Sequence, residues 1–331
     1  MEIEQLIKEY SDELYSKMPI FYQYLEVINT YAEYFGQIEG LLEEKVNDIE
    51  EYCVDLDYLS IIEICNEILM SLDKNLCDKF NKRITDGTID FKHDSITSMG
   101  ISNKRINITI NKTSTIEDIL GLIHEFFHSI HIEKYDNDMQ NQEWYFFTEA
   151  IAMIGELYAV MYMHENSILK DDLNKYLKKY ISIMFSHANN TLLTGLTLEI
   201  YDREQSLSDD AVSHFIQFKN LPEEYNEISE VIEYLDDFVF HESATYTFGF
   251  PIALLIASKM LIDEEYKLRF LSLLAHINEY DLDNLLTSLE IKNIIKNEDY
   301  ICDAMNYIYN IVNEMLNERQ LDIKSLLIEM R

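Results

Sequence analysis

The 331-residue chain is poor in the residues that punctuate a fold, with only 8 glycines and 3 prolines. That scarcity argues against many short strands joined by tight turns, and for long helices with short connections. Cysteine is scarce too. Cys53, Cys65, Cys77 and Cys302 form no C-x-x-C pair, and the first three recur at twelve-residue spacing in a helical stretch. A disulfide framework or thiolate metal site is therefore not expected, and a reducing compartment is the simpler reading. Positive charge is also in short supply: 26 Lys and Arg stand against 61 Asp and Glu, a formal net charge of −35. Such a surface repels phosphates and anionic headgroups, so neither nucleic acid nor a membrane is an expected partner. Met1 is followed by charged Glu2 and Glu4 rather than a signal-peptide core. The apolar stretch Pro251 to Ile262 contains Ser258 and Lys259 and reads as too short to span a bilayer. The expectation is a cytoplasmic protein.

What is present fits a folded, mostly helical chain. Apolar residues make up 47%, a globular level. Residues 3–84 read as helices, with Leu14, Met18, Phe21, Leu25, Ile28 and Tyr31 at helical spacing, then Leu59, Ile62, Cys65 and Leu69. Pro19 marks a kink or a fresh start. Asp86-Gly87-Thr88 ends the helical pattern, and two β-like segments follow, near Thr88–His93 and Arg105–Asn111. In the second, Ile106, Ile108 and Ile110 share one face. The stretch from Met99 to Asn103 reads as a turn region between them. Ser114-Thr115-Ile116-Glu117 is a capping-box pattern opening a helix to about Lys134. A second helix is expected from about Asn141 to Glu165, and the rest is helical apart from loops near Ser206–Asp210, Leu221–Glu223 and Glu242–Gly249. The expected architecture is one domain over 1–331: an N-terminal helical part, 1–85, and a core, 86–331, with a small β-sheet beside its key helix.

That key helix carries His124-Glu125-Phe126-Phe127-His128, an H-E-x-x-H pattern. Residues four apart share a helical face, so His124 and His128 can present ring nitrogens to one metal ion. Glu125, one position round, can reach a water on that metal without being a ligand. Gly121 lies one turn earlier on the histidine face. A mid-helix glycine costs about 1 kcal/mol against alanine, so it is expected to leave room for metal or substrate. Zinc, one ion per chain, needs a third protein ligand and an open fourth position. Glu133, Glu143, Glu149, Glu156 and Glu165 are the downstream candidates. Glu133 is on the same helix and cannot fold back. Glu149 lies 21 residues after His128, enough for a helix end, a loop and a returning helix, and Ala150 and Ala152 beside it permit close approach. It is the preferred ligand. Glu156, two turns along the same face, is better placed to accept a histidine N–H. His131 points away from the shared face and reads as structural, and His93, His164, His187, His214 and His276 as surface or core residues.

From about Ile106 to Glu156 the chain resembles the catalytic region of the thimet oligopeptidase and oligoendopeptidase F family. The shared elements are the strand Ile106–Ile110, the helix with His124-Glu125-Phe126-Phe127-His128-Ser129-Ile130-His131, and Glu149 followed seven residues later by Glu156. The resemblance implies zinc ligands at His124, His128 and Glu149, a general base at Glu125, and cleavage of short peptides in a largely helical fold. It also implies oxyanion donors at His241 and Tyr246, in a loop before an apolar helix starting near Pro251. Three departures stand out. Phe127 replaces the usual glycine, which predicts a bulkier pocket wall. If Phe248-Gly249-Phe250 fixes the alignment, Phe250 stands at a usual tyrosine position and lacks its hydroxyl. Only 123 residues precede the motif, fewer than is usual in that family, so the expected cleft is open unless a second copy of the chain covers it. The strand Arg105–Asn111 is expected to pair with the substrate backbone. A protease dedicated to one protein and a non-enzymatic zinc binder are the competing readings.

Overall fold

The computed structural model describes residues 8, 23–24, 27–43, 52–102, 105–133, 142–219, 243–277, 282–291, 294, 297–317 and 319. The positions Leu14, Met18, Pro19, Phe21 and Leu25, the loop Leu221–Glu223 and His241 lie outside them. The described elements are α1 (Ile28–Glu43), α2 (Tyr58–Leu72), α3 (Lys74–Thr85), β1 (Ile89–Lys92), β2 (Ser98–Ser102), β3 (Arg105–Asn111) and α4 (Ile116–Ile132). They continue with α5 (Gln142–Glu165), α6 (Lys170–Glu204), α7 (Asp209–Lys219), α8 (Ala244–Ile262), α9 (Glu264–Ala275), α10 (Leu282–Ser288) and α11 (Glu298–Leu316). The fold is mostly helical with one small sheet, as the scarcity of glycine and proline implies.

Short polar side chains start several helices. Asp57 accepts from Ser60 N at α2, Asp73 from Asn75 N and Leu76 N at α3, Asp263 from Tyr266 N at α9, and Asn297 from Tyr300 N at α11. Each satisfies an amide that has no carbonyl partner in its own helix. The buried stripe of α2 is Ile61, Cys65, Ile68, Leu69 and Leu72. Leu59, expected on that stripe, is 67% exposed, because two residues before Ile61 it falls on the opposite face of the helix.

The sheet order is β1-β3-β2, with β1 parallel and β2 antiparallel to β3. The segment read as a turn around Met99-Gly100 is the edge strand β2, and the register Ser102↔Arg105 leaves two residues between it and β3. Glycine obscures the strand pattern, but an edge position tolerates it. Ile108 and Ile110 of β3 are buried, and α4 packs on β3 and β2.

The start of α4 also departs from the expected capping box. Thr115, not Ser114, is the N-cap, accepting from Glu117 N. Ser114 takes a left-handed backbone, φ 61°. Asp118 reaches back instead, accepting from Thr113 N, Thr113 Oγ1 and Ser114 N. The Glu117 carboxylate is thereby released to accept from Tyr52 and Lys179.

Helices α5 and α8 lie side by side at the centre; α5 also packs on α4, and α8 on α6, α9 and α11. A helix covered on every side can be apolar all round. That explains why α8, long and apolar enough to cross a membrane, has 78% of its most apolar window buried within the protein. It begins at Ala244, so the expected loop up to Gly249 is helix, and Pro251 sits two turns inside it. The proline removes the N–H that would bond the Thr247 carbonyl, and burial on all sides outweighs that loss.

Two glycines set the close packing. A Cβ at Gly249 would lie 3.2 Å from the Ala150 backbone and 3.1 Å from Met153 Sδ, so α8 and α5 nearly touch there. A Cβ at Gly155 would overlap the Phe127 ring. Phe127 is fully buried. It therefore fills the α4–α5 interface rather than walling a pocket, and the glycine missing at 127 is matched by one at 155. Gly155→Ala should cost about 1–3 kcal/mol by overpacking, read by urea unfolding. Adding Phe127→Leu should recover part of that loss, and simple additivity of the two changes would show that this contact does not set the spacing.

Candidate metal centre

The pairs His131–Thr148, His128–Glu149 and His124–Glu156 join α4 to α5. Numbers fall along α4 as they rise along α5, so the two helices run antiparallel. This returns Glu149 to the histidine face. His128 Nε2 lies 3.1 Å from His124 Nε2 and 3.2 Å from Glu149 Oε1, and His124 Nε2 lies 3.4 Å from Glu149 Oε2. The three side chains could hold a metal ion. Ligands about 2.0–2.1 Å from a tetrahedral zinc are separated by roughly 3.3 Å, the spacing seen among these donors. Glu149 Oε2 is buried, and the His124 Nε2 beside it at 3.4 Å is the polar atom it faces.

Charge tells the same story. Burial disfavours a charged His124, but hydrogen bonds and charge from Glu149 and Glu156 outweigh it and raise its pKa well above the ordinary value. Burial pushes Glu149 up, but its hydrogen bonds with His124 and His128 outweigh that and hold the carboxyl well below the usual range. Without a metal, the cluster stabilises a positive charge as a proton on His124. A divalent cation would satisfy the same carboxylates and displace a proton. On the other side of its ring, His124 Nδ1 lies 2.8 Å from Glu156 Oε2. A proton on Nδ1 leaves the Nε2 lone pair free for a ligand bond.

Glu125 is buried at 8% exposure, without being part of the three-residue cluster. Burial raises its pKa, the histidine charges lower it, and Glu149 and Glu156 raise it further. The net upward shift suits a group that must take up a proton. Gly121 leaves no open space: Thr97 Cγ2 would lie 3.4 Å from an added Cβ, so the turn leading into β2 rests on α4 there. His131 is structural, as expected. It is fully buried, and its Nδ1 lies 3.1 Å from Thr148 Oγ1, fixing α5 one residue before Glu149. Burial, then the His128 charge, pushes its pKa down to about 3, so it stays neutral.

Tyr246 lies in the first turn of α8 rather than in a loop, partly buried in the core, its ring stacked on His187 at 4.7 Å and 18°. His187 Nδ1 in turn lies 3.2 Å from Ser243 Oγ. Phe250 is buried. The residue sequence reasoning missed is Tyr176 on α6, whose hydroxyl donates to Glu156 Oε1. Among 23 tyrosines, nothing in spacing sets it apart.

No family model and no curated protein matches the chain in sequence. Two solved structures share its fold. A candidate peptidase from Chlamydophila abortus has 12% identity and a TM-score of 0.65, over 90% of this chain and 55% of that one. PZ peptidase A, solved with an inhibitor, has 15% identity and a TM-score of 0.55, over 93% of this chain and 59% of that one. The chain thus spans between half and three fifths of their lengths.

The geometry ranks the carboxylates. Glu149→Gln should weaken divalent metal binding by more than about tenfold, measured by chelator competition and elemental analysis, while His131→Ala, if folded, should keep the metal. Loss of metal from Glu156→Gln with retention in Glu149→Gln would exchange the roles of the two glutamates.

Proposed function

We propose that the chain is a zinc metallopeptidase that hydrolyses peptide bonds in oligopeptides. The observation that carries this reading is the convergence of His124, His128 and Glu149 at tetrahedral spacing, with Glu125 next to His124 on the same helix. Support comes from the peptidase description of both fold neighbours and from the resemblance of residues 106–156 to the thimet oligopeptidase and oligoendopeptidase F family.

Zinc held there would activate a water molecule and polarise the scissile carbonyl. Glu125 takes the proton of the attacking water and delivers it to the leaving amine. Its raised pKa brings proton uptake closer to neutral pH. Glu156 holds His124 in the tautomer a ligand requires. Tyr246 is the proposed donor to the developing oxyanion, together with His241, which lies outside the described residues.

The substrate backbone is assigned to a different strand from the one expected. β3 is flanked by β1 and β2, so its hydrogen-bonding groups are largely taken. Among the described residues β2 is an edge strand, and Thr97, just before it, rests against Gly121 one turn from His124. An extended peptide would add to β2, giving affinity through main-chain bonds with little demand on sequence. The excess of acid, −35 overall, favours cationic peptides by long-range steering.

Glu125→Gln should keep zinc and lose nearly all turnover, because an amide cannot accept the water's proton. Zinc analysis beside kinetics on a fluorogenic peptide library checks both halves, and substantial turnover in this variant would eliminate the proposed base. Tyr246→Phe should keep zinc and lower kcat by roughly a hundredfold with KM little changed, since the bond strengthens only as charge develops. A parental kcat would remove Tyr246 from the oxyanion role.

A further inference from the structure

Glu156 can orient His124 only if it is itself held. A carboxylate rotates in a broad terminal torsion, and one hydrogen bond to an imidazole leaves that rotation weakly fixed. The second bond comes from α6. The Tyr176 hydroxyl donates to Glu156 Oε1 while Oε2 faces His124 Nδ1 at 2.8 Å, so each oxygen has its own partner. The Glu156 side chain is 6% exposed; without Tyr176, one buried carboxylate oxygen would lack a donor.

Tyr176 is itself firmly placed. Its ring stacks on Tyr180, one turn along α6, at 6.0 Å and 26°, and Tyr180 packs on Phe250 of α8 at 6.1 Å. One turn before it, Asp172 accepts from Cys53 N at 2.6 Å and from Val54 N at 2.9 Å. On the next turn, Lys179 pairs with Glu117 at the start of α4. α6 is therefore anchored on both sides of Tyr176, partly to the helix that carries both histidines. Burial, then the Glu156 charge, raises the phenol's pKa well above its ordinary value, so it remains a donor.

We propose that Tyr176 is a positioning residue of the metal centre: by fixing Glu156 it sets the ring plane and tautomer of His124, and so the affinity of the site for a divalent metal. This deepens the metallopeptidase reading, and its metal-binding part can be measured without turnover. Outer partners of a metal-bound histidine typically affect metal affinity by about 10- to 100-fold.

The experiment uses the full chain, parent and variants, titrated with zinc against a chelator and with cobalt followed by visible absorption. Tyr176→Phe should lower zinc affinity by about tenfold or more and shift the cobalt bands. Tyr158→Phe, which removes a phenol whose oxygen lies 3.1 Å from Ser71 Oγ, should change neither. A double-mutant cycle with Glu156→Gln keeps the test decisive if stability falls. Because Tyr176 acts through Glu156, adding Tyr176→Phe to Glu156→Gln should cost little further affinity. Parental affinity and spectrum in folded Tyr176→Phe, or full additivity in the cycle, overturns the assignment. A parent chain that binds zinc at this site but cleaves no peptide removes the peptidase reading and leaves Tyr176 standing. A parent that binds neither zinc nor cobalt removes both.

Discussion

The candidate centre depends on how closely α4 and α5 approach. Two imidazoles on one helix reach a carboxylate on another at 3.2–3.4 Å only if the backbones come near enough for short side chains to meet. Gly155 accepts the Phe127 ring against its backbone, and Gly249 lets α8 press on α5 at Ala150 from another element. The His131–Thr148 bond then sets the register one residue from Glu149. Packing and chemistry thus share one interface: core residues fix the distance, and polar residues on the same helices use it.

That interface also concentrates negative charge. Glu149, Glu156 and Glu125 lie within reach of His124, and the pKa of His124 is raised to supply the opposing charge. Burying carboxylates is costly unless they are paired or coordinate a metal. Here they are paired with His124 and His128, and His124, His128 and Glu149 are close enough to hold a metal ion. The order of burial agrees: Glu156 is 6% exposed and Glu149 23%. The inner carboxylate is held by His124 and Tyr176, while the more open one faces the Nε2 atoms of His124 and His128.

Much of this was legible in the sequence because it rests on local periodicity. The spacing of His124 and His128 places them on one face whatever surrounds the helix, and the interval to Glu149 leaves room for a return. Ile108 and Ile110 announced their buried face by alternation. What the sequence hid depends on tertiary contact. Met99-Gly100 carries the composition of a turn and becomes a strand by pairing with β3. Ser114 and Glu117 fit a capping box, yet Asp118 outcompetes Glu117 for the free amides while Tyr52 and Lys179 claim Glu117. Pro251 reads as a helix start, and only the burial of α8 on all sides explains a helix running through it. Phe127 looked like an intrusion into a pocket because the glycine that accommodates it is 28 residues away.

The role of α6 lies furthest from sequence reasoning, and it bears on how the region that matches 55% and 59% of the two fold neighbours can order a site. Residues a few turns apart on this helix hold the segment at 53–54, the start of α4 and, through Tyr176, the carboxylate behind His124. None of these contacts requires an added domain. A site supported on helices is held more tightly than one supported on loops, and here His124, His128, Glu149, Glu156 and Tyr176 all lie on helices. The precision of the centre then follows from three helices locked together by ring packing, close glycine contacts and paired charges. A wall built by further chain would select what reaches the site, whereas the directions in which His124, His128 and Glu149 point are already set by α4, α5 and α6.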